Sequence, residues 1–191
     1  KGLLESWAIQ LLPYLEQQAL FDAFDHDKSV FDQDSDAPST SVAAFLCPSD
    51  QAYGRFFVDE TLTKGKPLAK GNYAAYVSPF HIDLQLLFPG AFIATGQPLS
   101  RIEDGVSHTL AFSEVRTLDH SQDERGAWAI PWAGASVLSF DMHHKCSNER
   151  VFCPEERHYR PDSRSLGQTQ TPNSQGPVLD TLLLCEGDLM L

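Results

Sequence analysis

Apolar residues in the first two dozen positions recur every three or four places. Leu4, Ala8, Leu11 and Leu15 share one face, and Trp7, Leu12 and Leu20 widen the stripe. That period predicts a leading amphipathic helical segment over residues 3–24 whose apolar side packs into a core. Pro13 interrupts it, because proline lacks an N–H and its ring clashes with the carbonyl of Ile9. A break or kink is expected there, or a second helix over residues 14–24 opened by Pro13.

Beyond Phe21 the period vanishes. Six aspartates (22, 25, 27, 32, 34 and 36) share residues 22–36 with one lysine, the signature of a solvated loop. Strand-like patterns follow. Residues 41–47 form a short apolar run stopped by Pro48, residues 72–78 carry Tyr73, Tyr76 and Val77, and residues 86–95 read as an apolar strand pair around Pro89-Gly90. Asp104-Gly105 is a turn dipeptide, and residues 107–115 alternate as a strand does. Residues 126–142 suggest two strands broken at Pro131. Residues 144–178 are polar and carry four prolines, which predicts a long surface excursion before residues 179–184 return to the core. The sum is one α+β domain spanning residues 1–191: a leading helix packed on an antiparallel sheet, with long loops.

Composition narrows the partners. The 191 residues hold 14 basic and 26 acidic side chains, a formal charge of −12. Such a surface repels phosphate, and no basic cluster interleaved with aromatics is present, so nucleic acid and an anionic bilayer are disfavoured. A divalent cation suits it better. Apolar stretches fall short of the roughly 18 residues that span a bilayer. The chain starts at Lys1 without an initiator Met, so it is expected to be a mature or excised piece.

The candidate chemistry is sparse. Cys146 and Cys153 enclose six residues, and a disulfide staple between them is expected, with Cys47 and Cys185 either a second pair or free. An even cysteine count fits an extracytoplasmic, oxidising compartment. His143, His144 and His158 stand near the same thiols, but the gap between the cysteines is wider than in a zinc knuckle. Asp32, Asp34 and Asp36 are spaced like the first half of a calcium loop. Ala37 then stands where glycine is needed and Ala43 where a bidentate Glu is needed, leaving a looser calcium site or a plain acidic loop. Trp128 and Trp132 flank Pro131 and are either an aromatic platform for a glycan or core filling. There is no Gly-x-Ser-x-Gly elbow, phosphate-cradling loop or dinucleotide fingerprint. Ser107 and His108, as neighbours on a strand, face opposite ways. Glu114 and Asp104 are one of many carboxylate pairs in an acidic chain. No catalytic residue is assigned, and the chain reads as non-enzymatic.

Several segments resemble one family in the family's own order. They are residues 7–18 (WAIQLLPYLEQQ), 45–50 (FLCPSD), 72–74 (NYA), 104–110 (DGVSHTL), Glu114-Val115, 126–128 (GAW), 139–143 (SFDMH) and 170–174 (QTPNS). Together they resemble the planctomycete family of pilin-like proteins of unknown function, also catalogued under a solute-binding label. The chain departs from that pattern at His108, where the family has Asn, and in lacking the family's C-terminal His and Asp-Gly element.

That resemblance implies a pseudopilin architecture: a globular head normally preceded by a membrane-spanning prepilin-type helix, which this sequence lacks. Related type II secretion pseudopilins order a head loop with calcium, which bears on Asp32, Asp34 and Asp36. The expected function is a structural subunit of a secretion or envelope filament, partnered by other pilin-like subunits or envelope proteins and membrane-anchored at full length. The alternative is a solute- or glycan-binding surface module.

Overall fold

A computed structural model describes residues 5–81, 85–93, 95–132 and 134–141. The polar excursion of residues 144–178 and the apolar run of 179–184 lie outside the described residues.

The N-terminal pattern resolves into three single turns rather than one rod. Helix α1 (Trp7–Leu11) is capped by Ser6, whose Oγ accepts from the Ile9 N–H at 3.4 Å and donates to the Trp128 carbonyl at 2.6 Å. Pro13 falls in a 3-10 turn, Leu12–Leu15, where its missing donor goes unpunished. Glu16 then takes a left-handed conformation (φ 60°) that stops the turn, and α2 spans Gln18–Asp22. Ala8, Ile9 and Leu12 are the fully buried face. Among the described residues no helix is long and apolar enough to cross a membrane.

Five strands follow among the described residues. Strands β1 (Phe56–Phe57) and β2 (Leu68–Ala69) form a two-residue antiparallel ladder. Strands β3 (Tyr73–His81), β4 (Phe112–Glu114) and β5 (Val137–Asp141) form a sheet in the order β4-β3-β5. β3 pairs with β4 antiparallel, Ala74 facing Ser113, and with β5 in parallel, Ala75 facing Val137. The α+β class holds, but the sheet is mixed rather than wholly antiparallel.

Other expectations are corrected. Residues 41–47 are not a strand, because Val42 and Phe45 point inward three positions apart, as in the 3-10 turn Ala43–Phe45. The described part of 86–95 contains no strand. Leu86, Leu87 and Phe88 are exposed, and Gly90 crosses β3 so closely that a Cβ would lie 2.8 Å from the Val77 carbonyl carbon. The 107–115 pattern yields only β4, because Val106–His108 form a 3-10 turn. Of the two strands expected in 126–142, the described residues form only β5.

Helix α1 meets the sheet through Trp7. Its ring lies 4.7 Å from Phe112 of β4, and its Nε1 donates to the Ser136 carbonyl at 2.8 Å. The main core gathers Ala8, Ile9, Leu12, Phe24, Val42 and Phe45 around Trp128, which is 1% exposed. The Trp128 Nε1 donates to the Thr40 carbonyl at 3.1 Å, so the indole is buried without an unpaired donor. Behind it, Gly126 (φ +76°) and Gly71 touch backbone to backbone. Gly71 N–H donates to the Gly126 carbonyl at 2.7 Å, and a Cβ on Gly126 would sit 2.0 Å from the Gly71 oxygen.

Truncating Trp128 empties the centre of this core and strips contacts from three directions. Trp128→Ala is expected to destabilise the fold by about 3–5 kcal/mol and Trp128→Phe by less. Urea unfolding followed by far-UV circular dichroism checks the order.

Candidate functional site

The segments connecting β3 to β4 build a two-part groove on the molecule. Its larger part, about 670 Å³, runs from Tyr76 and Ser78 on β3 to Arg101, Glu103, Asp104 and His108. Its smaller part, about 350 Å³, is walled by Phe92, Ile93, Leu99, Ile102, Val106 and Ala111. Gln97, Ile102 and Thr109 line both parts, so the two are adjoining compartments of one depression.

Local chemistry fixes this shape. Gln97 Nε2 donates to the Gly90 and Ala91 carbonyls at 2.5 and 3.2 Å, which ties the two sides of the loop and sets the amide orientation. Gly105, at φ +82°, turns the chain into the 106–108 turn, and Thr109 Oγ1 closes it on the Gly105 carbonyl at 3.2 Å. Leu99 and Val106 remain 72% and 57% exposed although they line the apolar part. Isolated exposed aliphatic residues are ordinary; here two of them share one depression.

A polar knot stands elsewhere and looks at first like an active centre. Asp50 Oδ2 accepts from Asn72 Nδ2 (2.6 Å), Thr117 N–H (3.0 Å) and Thr117 Oγ1 (2.9 Å), and Arg55 approaches Oδ1 at 3.4 Å. Burial opposes ionisation of Asp50, but these donors and the Arg55 charge outweigh it and hold the carboxyl below its ordinary value. Asn72 Oδ1 in turn accepts from the Cys47 N–H at 2.9 Å, and Asn72 Nδ2 also donates to the Val115 carbonyl at 3.0 Å. Every hydrogen-bonding group of the Asn72 amide is engaged with protein. The knot fastens residues 47–50, 72 and 115–117 to one another.

Lys70 is comparable. Its side chain is fully enclosed, and Nζ donates to the Leu118 and His120 carbonyls at 2.9 and 3.0 Å, with Asp123 Oδ1 at 3.7 Å. Burial lowers its pKa, partly offset by the Asp123 charge. Arg125 grips the same Asp123 carboxylate from Nε at 2.9 Å and from its terminal nitrogen at 2.8 Å.

Next to it, Glu124 is 7% exposed and receives one hydrogen bond, from Trp132 Nε1 to Oε2 at 2.9 Å. Its other oxygen has no donor among the described residues. Burial pushes this carboxyl up to about 7, the Trp132 bond opposes the shift, and Asp123 adds to it.

The sequence-predicted sites fare unevenly. Trp128 is core, so its ring offers no face to a sugar. Trp132 is half-buried, with its ring stacked on Phe31 at 5.2 Å. The two indoles therefore form no platform; Pro131 had suggested surface, but the small residues around it are buried with them. Asp32 pairs with Lys64 at 2.7 Å and Asp34 with Lys28 at 2.5 Å. The Lys28 hydrogen bond and charge lower the Asp34 pKa. No group of three or more His, Cys, Asp or Glu side chains suited to a metal ion occurs among the described residues, so Asp32, Asp34 and Asp36 are not gathered into one. Cys47 is half-buried with Sγ 3.8 Å from Glu114 Oε2 and has no disulfide to a described residue. Cys146, Cys153 and Cys185, with His143, His144 and His158, lie outside the described residues. Ser107 and His108 sit in a 3-10 turn rather than on a strand, so the opposite-face argument does not apply to them; His108 lines the groove.

Four of the segments behind the family resemblance meet at or beside the polar knot: Cys47 and Asp50 join Asn72, Asn72 joins Val115, and Gly126 joins Gly71. A family model described as "Protein of unknown function (DUF1559)", labelled SBP_bac_10, matches residues 2–178. The chain belongs to DUF1559. No curated protein and no solved structure matches it. These four DUF1559 segments thus act as ties between non-local pieces of chain.

Two predictions test these assignments. Asp50→Ala leaves the Asn72 and Thr117 donors unpaired and is expected to cost about 2–3 kcal/mol; its pH dependence also has a sign. A carboxyl held below its unfolded value stabilises the fold above that value, and the contribution disappears as pH falls through the folded one, so the wild type should lose its advantage over Asp50→Ala in acid. Glu124 has the opposite sign. Its folded pKa is raised, so the folded form holds the proton and stability falls as pH rises from about 4.5 through about 7, by at most about 3 kcal/mol. Glu124→Gln should flatten that fall, as read from melting temperatures across pH 5 to 8.

Proposed function

We propose that this DUF1559 chain is a non-enzymatic, extracytoplasmic, pilin-like structural subunit that assembles with other pilin-like subunits or envelope proteins through its groove face. The observation that carries this reading is the exposure of Leu99 and Val106 in an apolar depression, with Leu110 at 49% on the adjoining cleft. Aliphatic surface of this kind is stabilised when another molecule excludes water from it. The ordered family segments support the same reading, and so does the polar knot, whose titratable residues are spent on holding the fold. In the full-length protein a membrane-spanning N-terminal helix would anchor this head at the envelope, in a type II secretion-like system.

A second reading, binding of a small solute, is favoured by the larger part of the groove, where Arg101, Glu103, Asp104 and His108 line one cleft beside an apolar compartment. Polar groups set against an apolar wall are common in ligand sites. A glycan bound through Trp128 and Trp132 is no longer part of this reading.

Native full-length protein is expected to sediment with envelope fractions and to shear off with surface filaments. Recovery as a freely soluble monomer in every fraction would remove the assembly reading.

A further inference from the structure

The two compartments of the groove differ in chemistry. One is walled by Leu99, Ile102 and Val106, and the other carries Glu103 and Asp104 against a single Arg101, with His108 beside them. With His108 neutral the charged groups leave one net negative charge, on a chain whose formal charge is already −12. The field there attracts a cation and repels a carboxylate. A second copy of this chain brings the same −12 and is disfavoured as occupant for that reason. An extended chain places residues i and i+2 on one side, roughly 7 Å apart, which suits two adjoining compartments.

We infer that the groove receives an extended peptide segment of a partner protein in which an aliphatic side chain is followed two residues later by Lys or Arg. The aliphatic group enters between Leu99, Ile102 and Val106, and the cation reaches Glu103 and Asp104. This rests on the assembly reading and names the chemistry of the partner that reading requires.

The probe is a fluorescein-labelled octapeptide, Ser-Leu-Ser-Lys-Ser-Leu-Ser-Lys, titrated with the full chain by fluorescence polarisation. Saturable binding is expected, weakened about tenfold by Val106→Asp or by the milder Leu99→Ser, and weakened several-fold by Glu103→Gln with Asp104→Asn. Peptides with Glu in place of Lys, or Ser in place of Leu, should not bind. Asp32→Asn with Asp34→Asn, which removes charge from the acidic loop, should leave binding intact. The inference is overturned by absence of saturable binding, by equal binding of the Glu peptide, or by unchanged binding in groove variants that melt as the wild type does. A concentration-dependent dimer abolished by Leu99→Ser would assign the groove to a second copy and overturn it as well. Envelope retention of the native protein without peptide binding removes this inference alone; loss of both removes the assembly reading beneath it.

Discussion

Three stretches of chain, 47–55, 72 and 115–117, are held in register by one side-chain amide and the carboxylate beside it. Asn72 accepts from the backbone of Cys47, donates to the Val115 carbonyl and donates to Asp50, and Asp50 passes the connection to Thr117 and Arg55. Ordering so many connecting segments costs about 1–2 kcal/mol of backbone entropy per residue. With strands of two to nine residues and helices of five, regular ladders supply few of the offsetting contacts. The knot lies just before β3, the central strand, and therefore sets where the sheet begins.

The rest of the architecture follows from that placement. Strand β3 has partners on both sides, so the sheet grows outward from it to β4 and β5. Trp7 docks α1 on β4 while Ser6 ties the start of the same helix to the Trp128 carbonyl, which connects the sheet to the main core. Between β3 and β4, Gly90 and Phe92 donate their N–H groups to the Val77 and Tyr76 carbonyls at a close crossing, and the aliphatic side chains of Leu99 and Val106 stay exposed. The groove is in this sense a by-product of a crowded crossing, shaped before any partner arrives.

Legibility in the sequence tracked the range of the interaction. The break at Pro13, the acidic loop, the strand from Tyr73 and the turn at Asp104-Gly105 depend on neighbours in sequence and were readable. Residues 41–47 and 86–95 were misread as strands because apolar runs of that length look alike whether they turn or extend. Whether Trp128 was platform or core stayed open in the sequence, because its burial depends on Phe24 and Phe45, about a hundred residues away. Nothing local signals that Asp50 and Asn72 will meet. The groove left a faint trace: Leu99 and Val106 are apolar but follow neither a strand nor a helix period, and they stand among Gly96, Pro98 and Gly105.

The enclosure of Lys70 has a chemical corollary. The other described lysines, Lys28, Lys64 and Lys66, all bond to residues of the aspartate-rich loop, to Asp34, Asp32 and the Gln33 carbonyl. Lys70 is sealed beneath two backbone carbonyls and a carboxylate. Among the described residues, amine-directed crosslinkers and labels thus find Lys28, Lys64 and Lys66 gathered on one patch and Lys70 closed to them.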